Sequence, residues 1–440
     1  MSQQPTARPI LVTAEAIADA RTTIRGGDRH PAAILLDTDR TVLAVGTLAQ
    51  IASHPAAERA RRIDRAGHVL LPGLVNAHTH LDLTSIGPMP HPPGATFADW
   101  IDRLRRLRPV DPAEIHNAVL LGAEFCLRGG VVAVGDIAGA VHGEPSLGAA
   151  EALAASPLAG TSFVEFFAIG TTEASRLEEL ARVLRREAPS WPRGHLRLGL
   201  QPHAPNTVAP SAYRESRSLA RELGVPWVTH AAESPEERLF IAEARGPQRT
   251  LLEDLGLWNE RLLHAFGSGR SPIEHLDRAL EGVLPACVHV HDASDTDIQR
   301  LAACDTPVIY CPRAGEYFRA QHAFGMHRYR DMLAAGITVA LGTDSIVNLP
   351  STTDRLSTLD EMRALWHRDR TDPSTLLAMA TVHGARAIGL EVARVTLAHG
   401  ARPLGIIALP AEQSAPDPVV SALSGSDDPE WVLALDSAPA

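Results

Sequence analysis

Leu71-Pro72-Gly73-Leu74-Val75-Asn76-Ala77-His78-Thr79-His80-Leu81-Asp82 is the stretch that decides how this chain is read. An apolar run from Val69 to Val75 leads into two histidines one residue apart. Residues two apart on an extended strand point to the same face, so both imidazoles reach one point. Two neutral imidazoles converging at a strand end suit zinc or a similar divalent cation. Alone the pair says little, because a chain with 20 histidines yields surface pairs by chance. The rest of the sequence has to answer it.

Upstream, the residues from about Pro9 to Gly67 read as short strands and turns. Ile10–Val12, Ala32–Leu36 and Thr41–Val45 are apolar, and Asp37–Arg40 is turn-like. Downstream, Gly87–Gly94 is too rich in proline and glycine for a helix or central strand and predicts a loop beside the two histidines. Asp111-Pro112-Ala113-Glu114 opens a helix with an N-cap and a proline at its first position, and Gly129-Gly130 closes it. The arginines of Asp102–Arg108 read as a solvated helix face.

A rhythm then follows. Apolar runs at Val131–Ala138, Ser162–Ile169, Leu196–Pro202, Pro226–Thr229, Ala286–Val290, Pro307–Tyr310 and Ile337–Leu341 alternate with helical stretches. With the first run they make eight, the pattern of a parallel sheet covered by helices and of a (β/α)8 TIM barrel. Each run closes on a polar residue: His78 and His80, then Asp136, Glu165, His203, His230, His289, Arg313 and Asp344. Barrel enzymes carry their chemistry at that rim. Beyond Leu390 the rhythm stops. Gly400–Leu409 and Trp431–Leu435 read as strands returning to the first lobe, and Glu412–Pro429 as loop. The expected architecture is an α/β chain: a barrel over residues 69–390, with a small β-sandwich lobe built from residues 1–68 and 391–440.

Bulk properties narrow the function. Hydrophobic content of 45% and charged content of 21% are those of a globular protein, and a net charge of −11 disfavours nucleic acid and anionic membranes as partners. Met1–Thr6 lacks the build of a signal peptide, and no apolar run approaches a membrane span. Cys126, Cys287, Cys304 and Cys311 show no paired spacing, so neither disulfides nor a thiolate zinc site is expected and the cytoplasm is the default. All 41 basic residues are arginine. The absence of lysine excludes Schiff-base chemistry, a Walker lysine and a carbamylated lysine bridging two metals. A small-molecule substrate is expected, and a homo-oligomer is compatible with this composition.

Pro72–His80, His230-Ala231-Ala232-Glu233 and Leu341-Gly342-Thr343-Asp344-Ser345 together resemble the signature of the amidohydrolase superfamily, in its cyclic-deaminase and chlorohydrolase branch. Pro202-His203-Ala204-Pro205 is similar to the deaminases of adenosine-derived compounds such as S-adenosylhomocysteine and aminodeoxyfutalosine. The resemblance implies one divalent ion, zinc in the first place and iron in the second, on His78, His80, His230 and Asp344. It implies Glu233 as proton shuttle and His289 as the residue orienting the nucleophile. The chemistry of the residues agrees. Three imidazoles and a carboxylate leave a position for water, whose pKa a metal lowers from 15.7 to roughly 7.

Some roles stay open. Glu233 has a rival reading as a cap-region acid beside Pro235, and His291 points the same way as His289. His203 is a substrate contact or a rim hydrogen bond, and Arg313 binds a polar substrate tail or a nearby carboxylate. Glu165 and Trp100 are further candidate substrate contacts, and Asp136 orients neighbours. His264, His275, His327 and His367 receive no role. The implied activity is hydrolytic deamination of an aminated nitrogen heterocycle, an adenine nucleoside derivative, with release of ammonia. A cyclic-amide hydrolase and a non-catalytic barrel homologue are the other two readings.

Overall fold

The computed structural model describes residues 8–27, 30–92, 94–95, 97–350, 355–412 and 417–435. Met1–Thr6, and parts of the segments Gly87–Gly94 and Glu412–Pro429, lie outside that set. The chain opens with β1 (Ile10–Ala18), β2 (Thr23–Arg25), β3 (Ala32–Leu36), β4 (Val42–Thr47) and β5 (Arg61–Pro72). β1 runs antiparallel to β2 and β3 and parallel to β5. β3 is buried along its whole length, which explains its unbroken Ala-Ala-Ile-Leu-Leu sequence.

Gly73 carries β5 directly into β6 (Leu74–Thr79). A Cβ at Gly73 would lie 2.1 Å from Val132 Cγ1, so only glycine lets the strand pass so close. Seven further strands follow: β7 (Val131–Ala138), β8 (Ala159–Phe166), β9 (Leu196–Pro202), β10 (Val228–Ala231), β11 (Ala286–His289), β12 (Val308–Tyr310) and β13 (Val339–Leu341). They pair in parallel as two runs, β6 to β9 and β10 to β13, each in chain order. One seam between the runs is bridged by Leu200 and Trp227, the other by Thr79 and Asp344. At the second seam Thr343 N and Asp344 N both donate to the His78 carbonyl at 3.1 Å. Helices join the strands, giving a TIM-barrel-like α/β fold. Among the described residues no helix is long and apolar enough to cross a membrane.

β14 (Ile406–Pro410) returns to pair with β5, and β15 (Glu430–Leu433) pairs with β14. Where a two-layered sandwich is expected, the lobe's strands join in one connected sheet of seven.

Three expectations need correction. The strand placed at Ser162–Ile169 lies at Ala159–Phe166. Its register runs out opposite Pro202, and beyond it Ala168 keeps only an isolated bridge to Val208, so hydrophobicity overshoots the strand. The stretch read as loop contains a helix, Pro418–Ser424. The Asp417 carboxylate accepts from Val419 N and Val420 N, and Val419, Ala422 and Leu423 are buried, so Asp-Pro here is a cap and first turn. Finally, the arginines of Asp102–Arg108 are not all solvated. Arg105 and Arg106 are 63% and 74% exposed, but Arg108 is 18% exposed and turns inward.

Candidate active site

The ends of β6, β10 and β11 and the turn after β13 converge. The His78 ring stands 5.0 Å from both His80 and His230, centroid to centroid. Asp344 Oδ1 lies 3.8 Å from His78 Nε2 and 3.6 Å from His80 Nε2. His230 Nε2 is 3.3 Å from His78 Nε2. These residues come from opposite ends of the sequence, and the barrel-like order of the strands is what brings them together.

The backbone at this rim is unusual. Asp344, Ala232 and His289 have φ of +58°, +55° and +73°, a region that non-glycine residues enter only when surroundings hold them there. Gly342 allows the seam to close, since a Cβ there would meet His78 Cβ at 2.8 Å.

Burial dominates the electrostatics. It holds His78 and His80 far below the usual imidazole range and takes His230 down to about 3, with neighbouring histidines adding to the effect. These rings are therefore neutral, as metal ligands must be. Burial also pushes Asp344 up to about 7. Glu233 is raised well above the ordinary carboxylate range, by burial first and then by Asp344, Glu237 and Glu236.

The donor set fits one divalent ion. His230 Nδ1 sits 3.1 Å from the His203 carbonyl, which only accepts, so Nδ1 carries the proton and Nε2 presents a lone pair. Two nitrogens bound tetrahedrally to one zinc stand roughly 3.3 Å apart, which matches His230 and His78. His78, His80 and Asp344 form one triplet of donor atoms within 4.8 Å, and Glu233, His289 and Asp344 form another. Asn348 Nδ2 donates to Asp344 Oδ2 at 2.7 Å and leaves Oδ1 facing the histidines.

Glu233 Oε1 is 3.4 Å from His289 Nε2 beside this centre. The Glu233 loop is held from below by Glu237, whose carboxylate accepts from Ala232 N at 2.9 Å and Glu233 N at 2.7 Å. His203 bonds Thr207 Oγ1 through Nδ1 at 2.7 Å, and its donor atom clusters with those of His230 and Glu165. Asp136 accepts from Leu81 N and from Ser162, so it braces the turn after His80. Trp100 donates to the Tyr317 hydroxyl at 3.1 Å, and Tyr317 donates to the Met89 carbonyl at 2.6 Å, building an aromatic wall with Phe97 and Phe318.

Arg313 is not brought to this centre. Its Nε lies 2.6 Å from Glu361 Oε1, and the fully buried Glu361 also accepts from Arg313 N. Of the two roles expected for Arg313, the structure shows the nearby carboxylate. The guanidinium that does reach the site is Arg108, which pairs with Asp82 at 2.7 Å and Glu165 at 3.7 Å. Arg108, Asn348 and Glu237 carry no sequence motif, though an arginine ending an amphipathic helix near the rim loop was a signal available for the first.

A model of the amidohydrolase family matches residues 69–401. The aminodeoxyfutalosine deaminase of Deinococcus radiodurans is 30% identical over 370 residues, spanning 79% of this chain and 81% of that protein. Among solved structures, Helicobacter pylori aminofutalosine deaminase in complex with methylthio-coformycin superposes with a TM-score of 0.76 at 19% identity, covering 96% of this chain and 98% of that one. An adenosine deaminase from Xanthomonas campestris with bound zinc gives a TM-score of 0.71 at 18% identity, covering 99% and 95%. With the three motifs gathered at one rim and the family match running across the barrel strands, this chain belongs to the amidohydrolase family.

Proposed function

We propose that this protein is a metal-dependent hydrolytic deaminase that releases ammonia from an adenine nucleoside derivative. The observation that carries it is two groups of donor atoms sharing His78, one with His80 and Asp344 and one with His230 and His289, with Glu233 3.4 Å from His289. The similarity to an aminodeoxyfutalosine deaminase supports the nucleoside class. Zinc bound by a structural neighbour supports zinc as the ion, with iron as the other candidate.

When bound, the ion supplies Lewis-acid chemistry that makes water acidic near neutral pH. Asp344 takes the proton of the attacking water, and His289 holds its oxygen in line. Glu233, kept protonated by burial, delivers its proton to the ring nitrogen, takes one from the adduct's hydroxyl for the departing amine, and is recharged by the proton that Asp344 took from water. His203, Glu165 and Trp100 orient the substrate at the rim. Residues 69–390 form the barrel, its two runs acting as one ring. Residues 1–68 and 391–440 form the β-sandwich lobe, whose strands are apolar on both faces: Val12 and Ile34 line one cluster and Leu11, Leu35 and Ile51 another. Four free cysteines fit a cytoplasmic compartment.

Ammonia release from aminodeoxyfutalosine, S-adenosylhomocysteine, adenosine, adenine, cytosine, a triazine and a cyclic amide tests this reading. A nucleoside derivative is expected to turn over much faster than free adenine. His203→Ala should narrow that gap, because a site matched to substrate polar groups rejects analogues that leave them unpaired. Faster turnover of adenine, cytosine or a triazine overturns the nucleoside class, and ring opening of the amide alone overturns deamination.

A further inference from the structure

β11 ends in two successive left-handed residues, His289 at φ +73° and Val290 at φ +55°. Neither is glycine and the second is β-branched, so the turn is held by its surroundings rather than by local preference. His327, 38 residues further on, brings Nε2 to 2.8 Å from the His289 carbonyl oxygen. A carbonyl only accepts, so Nε2 carries the proton and donates. Nδ1 is buried with no partner among the described residues, so this is the ring's one hydrogen bond there. The ring lies flat on Tyr310, with centroids 3.8 Å apart and planes 13° from parallel. Arg368 anchors that platform by donating to the Tyr310 hydroxyl at 3.1 Å.

We propose that His327 is a positioning residue: by holding the strained turn through the His289 carbonyl, it aims the His289 imidazole at Glu233. It touches none of the reacting atoms. The inference rests on the role assigned to His289 above. A purely structural His327 would contribute only its stack on Tyr310, and the two roles separate by substitution. His327→Phe keeps the ring and removes the donor, whereas His327→Gln keeps a donor and removes the ring.

Kinetics on the fastest of aminodeoxyfutalosine, S-adenosylhomocysteine and adenosine, with the metal-loaded enzyme, reads the difference. His327→Phe should lower kcat about 10–100-fold, the scale of an ångström-level misplacement, with KM and metal content little changed. His327→Gln should recover most of that loss. Equal kcat for wild type and His327→Phe overturns the proposal. Should His327→Phe not fold, His327→Asn replaces it, being too short to reach the carbonyl. Equal kcat for the Gln and Asn variants then overturns the proposal. His289→Asn runs alongside, and full turnover in that variant removes the catalytic role of His289 instead. Nitrogen-15 resonances of the His289 ring give a readout independent of turnover. They should move in His327→Phe and return in His327→Gln, and no movement in either overturns the positioning.

Discussion

His230 Nε2 lies 3.3 Å from His78 Nε2, although 152 residues separate the two along the chain. His80 and Asp344 join them in the proposed metal site, and no lysine exists in the sequence to bridge a second ion. Elemental analysis of active protein should find about one tightly held divalent metal per chain, in keeping with a catalytic site of few protein ligands and one open position. His230→Asn should lose it. Chelation should lower the melting temperature, since a ligand bound only to the native state stabilises it. Two tightly bound metals per active chain would contradict the assignment.

Glu233 and His289 share a 3.4 Å contact beside that centre, but Glu233 is not among the four ligands. Glu233→Gln keeps size and hydrogen bonding and removes the titrating carboxylate. Metal content should stay the same while kcat falls about 10²–10⁴-fold. A loss under about tenfold takes Glu233 out of the proton transfers.

Arg108 is the cation within a group of buried carboxylates, bonded to Asp82 and facing Glu165. Burial raises Asp82 above the ordinary carboxylate range despite Arg108, and pushes Asp136 up to about 7. Arg108→Gln strands these acids. It should cost about 3–5 kcal/mol in urea unfolding, as removal of one partner of a buried pair does. Adding Asp82→Asn should restore part of the loss. Unchanged stability of the single variant would show that Arg108 contributes nothing to this rim.

His275 lies far from the reaction, stacked on Phe266, with both ring nitrogens buried and no partner among the described residues. Burial lowers it from 6.5 to about 4. Between those values the unfolded chain holds the proton and the folded chain does not. His275 therefore makes stability fall as pH drops from about 6.5 toward 4, by up to about 1.4 kcal/mol per pH unit. His275→Phe should raise stability near neutral pH by about 1–3 kcal/mol, the cost of an unsatisfied buried polar group, and flatten the acid limb. Identical pH slopes for the two proteins would refute this.

Local periodicity was enough to read much of this molecule. Two-residue spacing in His78-Thr79-His80, apolar runs of strand length and polar residues at their ends follow from how a strand presents side chains. Hence, while the candidate ligands came from the resemblance of three motifs to a known family, the succession of barrel strands and the lobe's returning strand were legible without coordinates. Directions that depend on a distant neighbour were not. The helix pattern cannot distinguish Arg108 from Arg105 and Arg106, because only the packed rim supplies Asp82 and Glu165 as partners. Arg313 turns to Glu361 for the same reason. The left-handed turns at Ala232, His289 and Asp344 run against local preference and exist only because tertiary contacts hold them. Sequence determined which side chains the rim would offer. Tertiary structure decided which of them face one another, since charge and hydrogen-bond pairing are settled by whatever lies across the cavity rather than along the chain.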